Sequence, residues 1–335
     1  GGTEPVSIAA RPEAVWFACS AQITELREEM GRNRRLETPV AHRLITSPLG
    51  ALLDARVFER IKGRSLPREM RLARIGALAQ ATAAEGGDAE TLLERLGLHG
   101  ERSPQLRTRV AKAWARYVRD WHAHAAILKA WEGAFWNGED LPPDALVDLE
   151  MRRRAASERC VTPGRTLGFL ARRREIVPVA CDIPDPDATF AHWSETIEAP
   201  AALHAAPEQL PDFQRSRAVP GPAGPEYLLR FRSPSPLMTD TVHARVFEPA
   251  EGAEAAPAFI YASGLGMAYD RIRYWPEEDY IARPLAARGC RVILVESPWH
   301  GRRASPGRFS GEPYLATAPA GLFRLYAAQA QETAA

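Results

Sequence analysis

Apolar side chains recur at steps of three and four along the first 158 residues, and that period predicts helices. Residues 12–30 carry Val15, Ala18, Ile23 and Leu26 on one side, and Gly31 ends the pattern. A second helix opens at Ser47-Pro48 and continues through Leu49, Leu52, Leu53, Val57, Phe58 and Ile61; proline is favoured just inside a helix start. A third covers 66–84 through Met70, Leu72, Ile75, Leu78 and Ala79, and a short one covers 88–96 before Gly97. The longest runs from Ser103-Pro104 to about Trp136. In it Trp114, Val118, Trp121, Ala125, Leu128, Trp131 and Phe135 alternate at three and four and so share a face. Such a stripe predicts the core of a helical region; the sharper alternative is an aromatic wall over a substrate pocket. A turn at Leu141-Pro142-Pro143-Asp144 leads into a further helix over 145–156.

The pattern then changes twice. Between 177 and 225 prolines recur, among them Pro178, Pro184, Pro186, Pro200, Pro207, Pro211 and Pro220. Regular helix is not expected to run through many of them. This stretch predicts an extended connector anchored by Phe190, Trp193 and Phe213. Beyond it, 227–232 and 241–247 alternate at period two and predict strands, and the apolar runs 259–262 and 291–295 have the length of buried strands. Between those two runs lie a glycine loop over 263–267 and a helical pattern over about 276–288. Gly289 falls where a left-handed cap is expected. Strand, loop, helix, strand is a βαβ unit and implies parallel pairing. Ligands in open parallel sheets bind beyond the carboxyl ends of the strands, which here are the loops Gly264-Leu265-Gly266 and Ser297-Pro298-Trp299-His300-Gly301.

The order and spacing of Gly264-Leu265-Gly266, Arg283-Pro284-Leu285, Ile293-Leu294-Val295-Glu296 and Gly301-Arg302-Arg303 resemble the first half of an α/β-hydrolase. Within that family they resemble the branch that contains abhydrolase domain-containing protein 18. The resemblance covers about 227–335. It implies an α/β fold: the N-terminal half of an α/β-hydrolase sheet over 226–335, preceded by an all-helical region over 1–158 that is a candidate cap, and joined to it by the connector 159–225. It further implies the strand order 1-2-4-3-5, with 258–262 as strand three. By the same resemblance the loop after strand three supplies a backbone N–H to an oxyanion hole. That makes Gly264, Leu265 and Gly266, with His300 and Gly301 across from them, the candidate oxyanion and substrate-binding residues.

The family's nucleophile sits in a Gly-x-Ser-x-Gly elbow after the fifth strand, with the acid and histidine later still. None of the 335 residues forms that motif. The resemblance therefore implies a fragment of a serine hydrolase of esters, thioesters or amides, with no catalytic residue in this chain and no activity of its own. Ser263, Ser297 and Ser310 stand in no elbow, and His300 precedes the place of the family histidine. The expected partners are a small-molecule acyl substrate and either the remaining half of the domain or a homo-oligomer partner. The alternative is a non-catalytic α/β-hydrolase-like binding or scaffolding protein.

Composition narrows the partners. Lys plus Arg number 43 against 42 Asp plus Glu, which gives no general attraction to nucleic acid or anionic membrane. The clusters Arg152-Arg153-Arg154 and Arg172-Arg173-Arg174 are flanked by Glu150, Glu158 and Glu175. They predict solvated faces or local carboxylate contacts, the rival being a regulatory protein that presents them to an acidic partner. No apolar run approaches the ~18 residues of a membrane span, so no membrane partner is expected. Cys19, Cys160, Cys181 and Cys290 are widely spaced, without a Cys-x-x-Cys. Neither a metal site nor a cofactor is expected from them, and reduced thiols in a cytoplasmic protein are. His122 and His124 are two apart and do not share a helix face, which predicts ordinary polar histidines.

Overall fold

The structure is a computed structural model that describes residues 56–100, 103–138, 140–161, 166–203, 205–262 and 278–335. The chain divides into two compact units, Gly1–Arg60 and Ile61–Ala335, and the second holds nearly all of the described residues.

Four helices come first: α1 (Arg56–Ala84), α2 (Ala89–Arg95), α3 (Pro104–Trp136) and α4 (Pro143–Val161). The sequence predicts a break before 66, yet α1 continues through Pro67. Proline removes only the hydrogen bond to the residue four back, here Gly63, and the apolar face beyond it carries the helix on. The start of α2 is set by Asp88, whose carboxylate accepts the Thr91 N–H at 2.8 Å. Ser103 caps α3 in the same way, accepting the Leu106 N–H at 3.3 Å, with Pro104 in the first turn. Ile75, Leu92, Val110, Trp114, Tyr117, Leu167 and Leu170 form the core between these helices and the 3-10 turn Gly168–Arg172.

The connector holds more helix than its prolines suggest. Helices α5 (Pro186–Glu198) and α6 (Pro200–Leu203) lie between prolines rather than across them. Pro186 occupies the first turn of α5, where its missing N–H costs nothing, and the Asp185 carboxylate accepts the Ala188 N–H. Trp193 is a buried anchor stacked on Phe323 at 5.9 Å, but Phe190 is 65% exposed and anchors nothing. Phe213 tilts against Phe231, with ring centroids 4.7 Å apart.

Six strands form one mixed sheet among the described residues. They are β1 (Gln214–Arg215), β2 (Val219–Pro220), β3 (Pro225–Arg232), β4 (Thr241–Phe247), β5 (Ala258–Ala262) and β6 (Arg291–Val295). Their order is β1-β3-β4-β6-β5, with β2 beside β3. The β3–β4 and β4–β6 ladders are antiparallel, in registers such as Tyr227↔Val246 and Val246↔Ile293. The β5–β6 ladder is parallel, with Ile260 opposite Ile293. Between those two strands the chain returns through a π-turn (Glu278–Ala282) and α7 (Arg283–Ala286), and Gly289 caps the exit at φ +85°.

Alternation assigns the two faces of the sheet. Phe247, Val292 and Leu294 pack with Ala282 and Ala286 on one, and Phe231, Val242, Ala244 and Val295 cluster on the other. Trp131, Phe135, Leu146 and Leu149 join α3 and α4 to Val219 and Leu228 of the sheet. Helices α8 (Glu312–Ala316) and α9 (Ala320–Ala334) end the chain.

Ion pairs lock α4 down. Arg245 of β4 bridges Glu226 at 2.8 Å and Glu278 at 2.6 Å, and Arg154 joins Glu278 to Glu150. The expectation of local carboxylate contacts thus holds for Arg153 and Arg154, both of which bind Glu150. Arg152 stays exposed beside Asp148.

Candidate functional site

A cavity of about 470 Å³ lies beyond the carboxyl end of β6. Its origin is a mismatch of side-chain size. Helix α1 offers a face of mostly small residues, Ala73, Gly76, Ala77, Ala81 and Ala84, with Gln80 among them, while α3 offers Trp121, His124, Leu128 and Trp131. Both sets recur at helical spacing, so each makes a continuous wall. The turn after β6 closes the remaining side with Glu296, Gly301, Arg302 and the segment 304–309, and Arg153 and His243 complete it. The indole stripe of α3 thus divides. Trp114 serves the helical core and Trp121 packs at its edge, while Trp121 and Trp131 also face the cavity.

Glu296 organises the turn. It is 2% exposed, and its carboxylate accepts the Arg302 N–H and the Arg302 Nε–H, both at 2.9 Å. Its carbonyl accepts from Arg303 at 2.8 Å. Gly301 sits against that carboxylate at φ +55°, where an added Cβ would lie 2.8 Å from Glu296 Oε2. Only glycine combines that backbone angle with that approach. Arg303 is buried, clamped by Glu332 at 2.7 Å and Asp240 at 2.8 Å.

Of the five candidate residues named from sequence, Gly264, Leu265 and Gly266 lie outside the described residues. Gly301 lines the cavity; His300 does not, although the two are adjacent. The His300 ring is buried, stacked near Tyr314 at 6.3 Å, with Nδ1 2.8 Å from the Pro298 carbonyl. That contact puts the proton on Nδ1 and leaves Nε2 as a buried acceptor without a partner. Burial holds the imidazole below its usual 6.5, so it is neutral.

Charge within the cavity is balanced by pairs. Arg153 binds Glu150 at 2.9 Å, Arg302 binds Glu296 at 2.9 Å, Arg308 binds Glu312 at 3.2 Å, and Arg230 binds Glu132 at 3.3 Å. A charged ligand would find no spare countercharge among these groups. The indole N–H of Trp131, by contrast, is buried with no hydrogen-bond partner, and Arg153 lies 4.8 Å over its ring. The arrangement suits a neutral, largely apolar molecule with an acceptor group, in the ~300–1,000 Å³ range of small-molecule sites.

Sequence reasoning missed the small face of α1, and also Arg153 and His243 as wall residues. The spacing of Ala73, Gly76, Ala77, Ala81 and Ala84 was the available signal. No group of three or more His, Cys, Asp or Glu side chains could hold a metal ion among the described residues. No helix among them is long and apolar enough to cross a membrane.

Fold and cavity together define an α/β chain with a mixed sheet and a helix-roofed cavity at a strand end. Comparison adds no closer class: no protein family, curated protein or solved structure matches the chain.

Proposed function

We propose that this chain carries the first four principal strands and the helical cap of a serine hydrolase of the α/β-hydrolase type. One observation carries the reading. The principal strands β3, β4, β5 and β6 are ordered 1-2-4-3 across the sheet, with only the last pair parallel and a ligand-sized cavity beyond β6. The substrate class is neutral acyl compounds, namely esters, thioesters or amides, and the paired charges of the cavity support it. In the proposed reaction a serine oxygen attacks the acyl carbon, the carbonyl oxygen takes up negative charge, and an acyl-enzyme forms and is hydrolysed. Backbone N–H groups of the loop 263–267, with Leu265 or Gly266 foremost, stabilise that oxygen; one such donor is worth about 3 kcal/mol.

The nucleophile, acid and histidine belong to sequence outside these 335 residues, so this chain alone is inactive. The segment that completes the sheet, or a second subunit, pairs with β5, which has β6 as its only partner among the described residues. A cytoplasmic setting is part of the same proposal, supported by the wide spacing of the four cysteines.

Labelling with a fluorophosphonate, followed by peptide mapping, tests the reading on the protein expressed from its natural gene. The expected result is one modified serine within a Gly-x-Ser-x-Gly, and none when the 335-residue chain is treated alone. Modification of a serine among these residues, or of none anywhere, sinks it. The absence of Gly-x-Ser-x-Gly from the 335 residues favours a second reading, a non-catalytic protein that uses the cavity to bind. Saturable ligand binding by an unlabelled natural protein would select it.

A further inference from the structure

A second concavity, of about 330 Å³, lies on the helical region and is lined by Arg68, Leu72, Arg109, Phe169 and Arg172 among others. Its three arginines come from three elements: Arg68 from α1, Arg109 from α3, and Arg172 from the turn Gly168–Arg172. The elements are tied together beneath them, since Arg71 donates its Nε–H to the Ala171 carbonyl at 3.0 Å. The Arg109 guanidinium stacks 4.0 Å above the Phe169 ring, which fixes its plane. Among the described residues none of the three has a carboxylate within 4.0 Å, whereas Arg74, Arg95, Arg107, Arg153 and Arg154 in the same region are all paired. In a chain whose charges nearly cancel, this is a local excess of positive charge in a concave place.

The excess continues along one helix face. A neighbouring concavity of about 530 Å³ shares Arg109 and adds Lys112 and Arg116. These three stand at i, i+3 and i+7, so their backbone positions span ~10 Å at ~1.5 Å per residue. Unpaired like charges repel, and an anion between them removes that cost. Guanidinium forks match the oxygens of a phosphate group. Cations spaced along the helix beside the pocket suit a second phosphate more than a single carboxylate. Bases would need interleaved aromatic platforms, and among the described residues Phe169, already covered by Arg109, is the only aromatic side chain lining either concavity.

We propose that Arg68, Arg109 and Arg172, extended by Lys112 and Arg116, bind a soluble compound carrying two or more phosphate groups. The site is separate from the cavity beyond β6, and its occupancy is independent of whether that cavity serves a hydrolase.

Isothermal titration of the 335-residue chain with pyrophosphate at low ionic strength tests this. The expected result is saturable one-to-one binding, tighter than for inorganic phosphate, that weakens as salt rises. Arg109→Ala and Arg172→Ala should each weaken it by about tenfold or more, and Arg109→Lys by less, because it keeps the charge and loses the fork. Arg119→Ala removes the same charge from α3 outside both concavities and should leave affinity within about twofold. Thermal unfolding midpoints equal to that of the parent chain would show that the variants fold. No saturable binding, equal affinity for the single phosphate, or equal losses for Arg109→Ala and Arg119→Ala would each overturn the proposal.

Discussion

Glu312 is the residue whose replacement should report most directly on how the helices are held to the turn after β6. Its side chain is fully buried, and it accepts four hydrogen bonds. Oε1 takes Arg74 of α1 at 2.6 Å, the Ala180 N–H of the connector at 3.1 Å and Arg308 at 3.2 Å; Oε2 takes the Phe309 N–H at 3.1 Å. In Glu312→Gln the amide oxygen can keep the first three partners. Its NH2 then faces the Phe309 N–H, donor against donor. One buried N–H left unsatisfied costs about 1–3 kcal/mol, and two charge-assisted bonds fall toward neutral strength. The sum is roughly 2–4 kcal/mol. Glu312→Ala removes every acceptor and leaves Arg74 uncompensated, for about 3–5 kcal/mol. Urea unfolding should show both losses as lower midpoints with unchanged slope. In a double-mutant cycle with Arg74→Met, the second substitution should cost much less in the Glu312→Ala background than in the parent. A Glu312→Gln loss under ~0.5 kcal/mol, the level of an ordinary surface substitution, would refute the account.

Three other outcomes follow from the turn and its supports. Gly301→Ala should cost about 1–3 kcal/mol for the left-handed backbone alone, and more because Glu296 must move. Gly97→Ala, at φ +74° with open space around its Cβ, isolates the backbone part, so equal losses at both sites would remove the role given to Glu296. Arg303→Met leaves Glu332 buried and unpaired and should cost about 3–5 kcal/mol; adding Glu332→Gln should recover part of it, and a further loss would contradict the pairing. His300 has a folded-state pKa held below 6.5 by burial, so its contribution is complete above pH 6.5 and lost as pH falls through the lowered value. The thermal midpoint should therefore drop on acidification below 6.5, and His300→Asn, which keeps a donor toward Pro298, should flatten that part of the profile.

The four principal strands were legible to within a residue or two because apolar alternation and turn residues mark them twice over, whereas the two-residue β1 and β2 fell in the stretch read as connector. The ladders confirm 241–247 and 291–295 as read, add Pro225 and Glu226 to 227–232, and add Ala258 to the apolar run 259–262. The starts of α2 and α3 were equally plain, since Asp88 and Ser103-Pro104 satisfy N–H groups that any helix leaves open. What failed was reading the connector prolines only as breakers, although Pro48 and Pro104 were read as helix starts. Pro186 starts a helix and Pro67 is carried inside one; the difference lies in which N–H is removed and what surrounds it, and local pattern shows neither fully. Long-range pairing was invisible for a related reason. Arg74 and Glu312 stand 238 positions apart, and the stretch holding Glu312 reads as a polar loop.

The site was half legible on the same grounds. The rule that ligands gather beyond strand ends directed attention to 296–303, and the cavity does lie there. Its walls, however, depend on two helices meeting with unequal side chains. The tryptophan stripe was read as core, with a pocket wall as the alternative; core holds for Trp114, packed with Tyr117, while Trp121 and Trp131 line the cavity. Whether a stripe fills a core or borders a void is decided by the facing element. Opposite Trp114 stand Ile75, Leu78 and Leu92 in one cluster, while toward Trp121 and Trp131 the α1 face shrinks to alanine and glycine, Gln80 excepted. Close packing would fill that gap in an ordinary core. Large side chains at positions 77 and 81 should therefore close the cavity with little loss of stability, since they fill space. Ala77→Leu with Ala81→Leu should leave the urea midpoint close to that of the parent chain and abolish binding of neutral acyl ligands. If the pair instead cost about 3 kcal/mol or more, as overpacking does, the space would be too small to admit a ligand, and the cavity could not serve as the site.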